Sequence, residues 1–234
     1  MMEWTSPQKP AELTENRLID AILDGAFPIG SALPGERELA AQLKVTRPTL
    51  REALQRLGRD GWLEIHQGKP TRVRDYWREG SLGVLGTIAR RSTHLPPDFV
   101  PNLLAVRLAL APAYSALAAR NDPASVLLVL ADHQKLPDTA EAFASFDWRL
   151  HNQLTIACGN PIFTLILNGF AELYGPMAVL YFQPPESRQR SRVFYAELGQ
   201  AFKLSDPIAA ETVTRAVMQD SLRLWEQRGL LRQT

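Results

Sequence analysis

The sequence predicts a mainly α protein in two parts, three N-terminal helices closed by a β-hairpin and then an all-α domain of six to seven helices. Three observations carry this. Apolar residues recur at helical spacing up to Gly61. The period then falls to two on either side of the turn Gln67-Gly68-Lys69-Pro70. From Ser81 onward only helical patterns remain, punctuated by Asp122-Pro123, Asn160-Pro161 and Asp206-Pro207, each an N-cap residue ahead of a proline that suits the first helical position.

The first helix spans Ala11 to Phe27, with Leu13, Leu18, Ile19, Ile22 and Leu23 on one stripe, and Phe27-Pro28-Ile29-Gly30 ends it. A short helix follows Pro34 through Glu36, Leu39, Ala40 and Leu43. The third starts behind Thr46, whose hydroxyl can accept an orphan N–H, with Pro48 in the first turn where its missing donor costs nothing. It runs to about Arg59, stops at Asp60-Gly61, and buries Leu50, Ala53, Leu54 and Leu57. Trp62–His66 and Thr71–Arg74 read as the two strands. Three helices and a hairpin with a basic tip form the winged helix-turn-helix pattern, assigned to residues 1–75. Residues 76–80 read as a linker, and residues 81–234 as an all-helical domain, with Gly159 as the C′ residue of one of its helices.

Composition narrows the function classes. A single cysteine in 234 residues excludes a disulfide framework and a multi-cysteine metal site, and fits a reducing cytoplasm. Met1–Pro10 has no apolar signal core, and the apolar stretches are cut by Arg107, or by Asn168, Glu172 and Gly175-Pro176, so no membrane is expected and the location is cytoplasmic. With 26 basic against 25 acidic residues the chain as a whole is near neutral, but Lys44–Arg74 holds eight bases and three acids, a net +5. Local charge of this kind points to nucleic acid.

Within that window Thr46, Arg47, Thr49 and Arg51 occupy the first turns of the third helix and are not needed for its apolar stripe. Arg47 and Arg51 lie one turn apart and can address one major groove, where arginine makes bidentate contacts with guanine. Arg37 can reach the same groove or a phosphate. Gly68 and Lys69 at the hairpin tip suit close backbone approach and phosphate neutralisation. Gly68-Lys69-Pro70-Thr71 superficially resembles the end of a phosphate loop, but Leu63 stands at the earlier glycine position and Pro70 at the hydroxyl position.

Three segments, Leu33-Pro34-Gly35-Glu36-Arg37-Glu38-Leu39-Ala40, Val45-Thr46-Arg47-Pro48-Thr49-Leu50-Arg51-Glu52-Ala53-Leu54 and Gly61-Trp62-Leu63, resemble the GntR family of bacterial transcription regulators. Later stretches are similar to its FadR subfamily of fatty acid metabolism regulators: Asn102-Leu103-Leu104-Ala105-Val106-Arg107, Gly159-Asn160-Pro161-Ile162, Leu165-Ile166-Leu167-Asn168-Gly169 and Phe194-Tyr195. The resemblance implies a homodimer on a palindromic double-stranded DNA operator, acting as activator or repressor, and released by long-chain fatty acyl-CoA, with no other cofactor. It implies DNA contacts at Arg37, Thr46, Arg47, Thr49, Arg51, Gly68 and Lys69, and ligand contacts at Arg107, Tyr181, Tyr195, Ser221 and Trp225. Two departures from the family pattern, Pro48 in place of a hydroxyl residue and Gln67 in place of the wing histidine, bear on base preference. Met218, where a small residue is expected, bears on ligand size.

A long acyl chain needs an apolar tunnel, for which Phe163, Leu167, Phe170, Leu173, Tyr174 and Met177 are candidates; the same residues would also serve as bundle core. An alternative is a sensor of a small carboxylate, with or without a metal held by Asp147 and His151, one helical turn apart. His66, His94 and His133 all precede that pair, so Glu197 or Asp220 would have to complete the site; no metal is assigned. A third reading is a dimeric DNA-binding protein without ligand. Catalysis is rejected: Cys158 lies about 10 Å of helical rise from His151, and no catalytic motif is present.

Overall fold

The computed structural model describes residues 9–91, 96 and 98–231. His94 and most of the opening segment read for a signal core lie outside them. The chain divides into two compact units, 1–94 and 95–234.

In the first unit α1 (Pro10–Leu23) ends with its apolar stripe, four residues before the expected Phe27, because Gly25 adopts φ +78° and turns the chain. Helices α2 (Glu36–Leu43) and α3 (Arg47–Asp60) are joined through Lys44, itself left-handed at φ 56°. Thr46 caps α3 as its hydroxyl predicts, accepting from the Thr49 N–H at 3.3 Å. Leu50, Ala53, Leu54 and Leu57 are buried, as their spacing requires. Gly61 closes α3 at φ +95°, a conformation that strains any side chain, and a Cβ there would lie 3.1 Å from the Gly80 Cα.

The strands are shorter than the alternation suggests: β1 (Leu63–Glu64) pairs antiparallel with β2 (Arg72–Val73), Leu63 opposite Val73. The stretch after α1, read in the sequence only as a helix stop, supplies a third edge. Its Ala32 bridges Arg72, and the N–H groups of Gly30 and Leu33 donate to Val73 and Thr71 at 2.8 Å. Trp62 is fully buried behind the hairpin against the Tyr76 ring, at 4.9 Å between centroids.

The expected linker, residues 76–80, holds a short helix, α4 (Tyr76–Glu79), and is followed by α5 (Leu82–Ala89). Both fall within the first compact unit. Arg91, just beyond α5, fixes this segment to α1 by donating to Asp20 at 2.5 Å and to Asn16 at 2.9 Å.

The second unit contains seven α-helices among the described residues, α6 (Phe99–Asn121), α7 (Pro123–Leu130), α8 (Ala140–Ala157), α9 (Pro161–Gly169), α10 (Ala171–Phe182), α11 (Pro185–Lys203) and α12 (Pro207–Leu231), with a 3₁₀ turn at His133–Lys135. Each predicted cap forms: Asp122 accepts from Ser125, Asn160 from Ile162, and Asp206 from both Ile208 and Ala209. Gly159, at φ +76°, ends the helix before it. Helix α6 lies along α12 and α8, and α8 is enclosed by α6, α7, α9 and α10. By length and a mean hydropathy of 1.3, α6 is long and apolar enough to cross a membrane. Its Arg107 is instead paired to α8, and Ala111, Tyr114 and Ala118 are core residues.

Leu57 is fully buried and packs α3 onto its neighbours. Leu57→Ala is expected to cost about 2–5 kcal/mol of stability in the first unit, measured by equilibrium urea unfolding; a loss below about 0.5 kcal/mol would show that the site repacks freely.

Candidate nucleic-acid interface and effector groove

The first turns of α3 place their polar side chains outward because the opposite face is committed to the core. Arg47, Pro48 and Arg51 are exposed, and Thr49 is half-buried. The hydroxyls of Thr46 and Thr49 lie 2.8 Å apart, so the cap that starts the helix also fixes two groups beside the arginines. Arg37, in the first turn of α2, is exposed and carries no side-chain hydrogen bond or ion pair among the described residues.

The turn at the hairpin tip closes by a hydrogen bond from the Lys69 N–H to the His66 carbonyl at 3.3 Å, with Gly68 at φ +74°. Residues 65–70 are all exposed. His66 pairs with Glu64 at 2.7 Å and draws that carboxyl below its ordinary range.

One contributor escaped the sequence reading. Glu36, the first residue of α2, accepts from Arg51 Nε at 2.6 Å and stands 3.9 Å from Arg47. Fifteen residues separate it from Arg51, so only the helix-turn-helix geometry brings them together.

The second unit is organised round a buried carboxylate. Asp147 on α8 accepts from Arg107 of α6 at 3.0 Å, from Tyr195 of α11 at 3.1 Å and from the Tyr174 hydroxyl of α10. Burial works against the charged form, but His151, Arg107 and the hydrogen bonds from Tyr174 and Arg107 outweigh it and hold the pKa below the usual carboxylate value. Arg107 stays charged: burial opposes its charge, and the hydrogen-bonded Asp147 carboxylate more than restores it. Burial pushes the Tyr114, Tyr174 and Tyr195 phenols up, so they remain hydrogen-bond donors.

His151 is 3.8 Å from Asp147, beyond hydrogen-bond length, and its other ring nitrogen meets the Tyr114 hydroxyl at 2.7 Å. Burial presses its pKa down to about 4, so the ring is neutral at pH 7. The candidate metal pair therefore has its carboxylate engaged by a resident cation, Arg107. Among the described residues no group of three or more His, Cys, Asp or Glu side chains is placed to hold an ion. Cys158 is buried, with its thiol turned to the Thr155 carbonyl at 3.0 Å.

Beside this network runs a groove of about 790 Å³, open mouth included, between α6, α9 and α10. Phe163, Leu167, Phe170, Leu173, Tyr174 and Met177, named from the sequence as tunnel candidates, all line it. So do Arg107 and Tyr181, which with Tyr114 supply polar groups to an otherwise apolar wall. Tyr195, Ser221 and Trp225 lie outside the lining. Tyr195 is buried on Asp147, Ser221 takes the Tyr181 hydroxyl at 3.0 Å, and Trp225 is half-buried against the core, where Met218 is also buried. The sequence had no signal for Tyr114, whose role follows from its contact with His151 across 37 positions.

Two family models match the chain: the gntR family of bacterial regulatory proteins over residues 10–73 and the FadR C-terminal domain over residues 74–232. The chain is similar to proteins named fatty acid metabolism regulator protein. One, from Shewanella sp. (strain MR-4), is 43% identical over 93% of this chain and 90% of the relative. Another, from Edwardsiella ictaluri, is 45% identical over 82% of this chain and 81% of the relative. Among solved structures, one described as Lar, which controls expression of the Listeria monocytogenes agr system, aligns at a TM-score of 0.63 over 93% of this chain and 97% of that one. At 15% identity it shares the fold alone.

The His151 environment carries a pH signature. An unfolded histidine takes up a proton near pH 6.5, whereas the folded ring does so only near pH 4. Stability therefore falls as pH drops through that window, by at most about 1.4 kcal/mol per unit from this residue. Asp147 contributes at every pH above about 4 and is lost only in stronger acid. Urea unfolding at pH 7 and pH 5 should show a smaller loss for His151→Gln than for the unmodified chain; equal losses would remove His151 from the account.

Proposed function

The chain belongs to the GntR family of bacterial regulators, with a FadR-type C-terminal domain, and we propose that it is a DNA-binding transcriptional regulator of fatty acid metabolism whose operator binding is weakened by long-chain fatty acyl-CoA. It is a regulator and not an enzyme. Two copies, each with α3 in a major groove and its wing alongside, would read the halves of a palindrome. The observation that carries the sensor half is the groove between α6, α9 and α10: a hydrocarbon-lined slot with one permanently charged arginine on its wall.

That lining suits an acyl chain with a polar thioester end better than a small carboxylate, which would find few polar partners along it. A long chain that parts the apolar walls of α9 and α10 would bind the widened conformation better than the narrow one. Differential affinity of this sort is what a ligand needs to shift the population of DNA-competent dimers. Whether the bound operator is activated or repressed follows from its position relative to the promoter.

The decisive experiment is fluorescence anisotropy of the full-length protein on a duplex it selects from a random-sequence pool, at fixed salt, with and without a long-chain acyl-CoA. Release by the thioester and not by free fatty acid or CoA supports the reading; binding that ignores all three defeats the sensor half. Arg47→Ala should lose about 1–3 kcal/mol and relax base preference at one position, whereas Lys69→Ala should weaken all sequences alike. Leu167→Trp, which fills the groove, should keep operator affinity while losing the acyl-CoA response.

A further inference from the structure

We propose that Glu36 is a specificity-determining residue of the nucleic-acid interface: its carboxylate holds Arg51 by Nε, presents the outer guanidinium edge to a base, and disfavours capture of Arg47 and Arg51 by phosphates. The inference rests on α3 being the groove-reading helix, as proposed above.

A guanidinium has five N–H donors in a flat fork, so an acceptor on Nε leaves the pair at the outer edge free. That edge is the one that reaches guanine O6 and N7. Arg51 is 59% exposed and would otherwise sample many rotamers; the 2.6 Å contact restricts it in advance of binding. Glu36 is itself anchored. It is the first helical residue of α2, where the helix dipole favours a carboxylate, and its side chain is only 37% exposed.

The charge arithmetic matters as much as the geometry. One carboxylate stands against two arginines, so the surface keeps a net positive charge. A phosphate approaching either arginine meets the acid beside it, whereas a base edge carries no full charge to be repelled. Glu36 thus penalises non-specific backbone binding more than base recognition, and specificity is the difference between the two. Stability does not account for the contact, because exposed ion pairs add little to it.

The test uses the full-length protein, a duplex that it selects from a random-sequence pool, and a random-sequence duplex, with anisotropy read at several salt concentrations. E36Q keeps the size and one acceptor oxygen but removes the charge. It should lower the specific-to-non-specific affinity ratio about tenfold, tighten non-specific binding, and steepen its salt slope by about one. E36A should do the same. In R51A, where the ratio is already reduced, adding E36Q should lower it by clearly less than in the unmodified protein, since only Arg47 is left for Glu36 to act on. An unchanged ratio in E36Q and E36A, or an equal further loss on top of R51A, overturns the proposal. An R51A protein that keeps the full ratio overturns it too. If the unmodified protein enriches no sequence, the groove-reading assignment itself fails and takes this one with it.

Discussion

A charge buried without partners costs several kcal/mol, and that constraint fixes the second unit. Asp147 is 4% exposed and lies in the middle of α8. The donors that make it tolerable come from α6, α10 and α11, so three helices are held to a fourth by one carboxylate. The apolar groove follows from the same arrangement. Arg107 and Tyr174 reach Asp147 from the groove wall, so the carboxylate holds two of the polar groups of a slot that is otherwise mostly hydrocarbon.

The two units put their arginines to opposite electrostatic use. Arg47 and Arg51 are more than half exposed, with one acid between them, and keep most of their donors free. Arg107 is only 21% exposed, and its pairing with Asp147 is tight enough that neither titrates near neutrality. Exposed arginines suit a surface that must exchange water and counterions for DNA. Buried ones suit a scaffold that must hold its shape.

Much of this was legible from the sequence, and the legible parts share a cause. Thr46, Asp122, Asn160 and Asp206 act on backbone groups two or three residues away, so their caps are decided locally. The buried face of α3 follows from helical periodicity, and the six groove residues stand out as large apolar side chains along α9 and α10. Long-range partners are another matter. The Ala32–Arg72 bridge joins positions forty residues apart, in a stretch with no alternation of its own. Residues 76–80 read as a linker and residues 81–91 as the start of the helical domain, and only Arg91 reaching Asp20 and Asn16 reveals that the segment belongs with the first unit. The Asp147 cluster was visible as separate letters, Arg107 and Tyr195 from the resemblance and Asp147 from its spacing to His151, but not as one object.

Helix α9 adds a mechanical asymmetry to the groove. None of its nine residues is buried, although Ile162 and Leu165 are among them, and it meets α10 at a 69° bend. The opposite wall, α6, is locked by core packing and by Arg107. Local opening free energies track the apolar contacts an element makes, so the two walls differ in compliance by construction. The slot is a vice with one fixed jaw and one sprung jaw. Substitutions on the α9 side can reshape the groove without touching the folding core, whereas those on the α6 side disturb the framework itself.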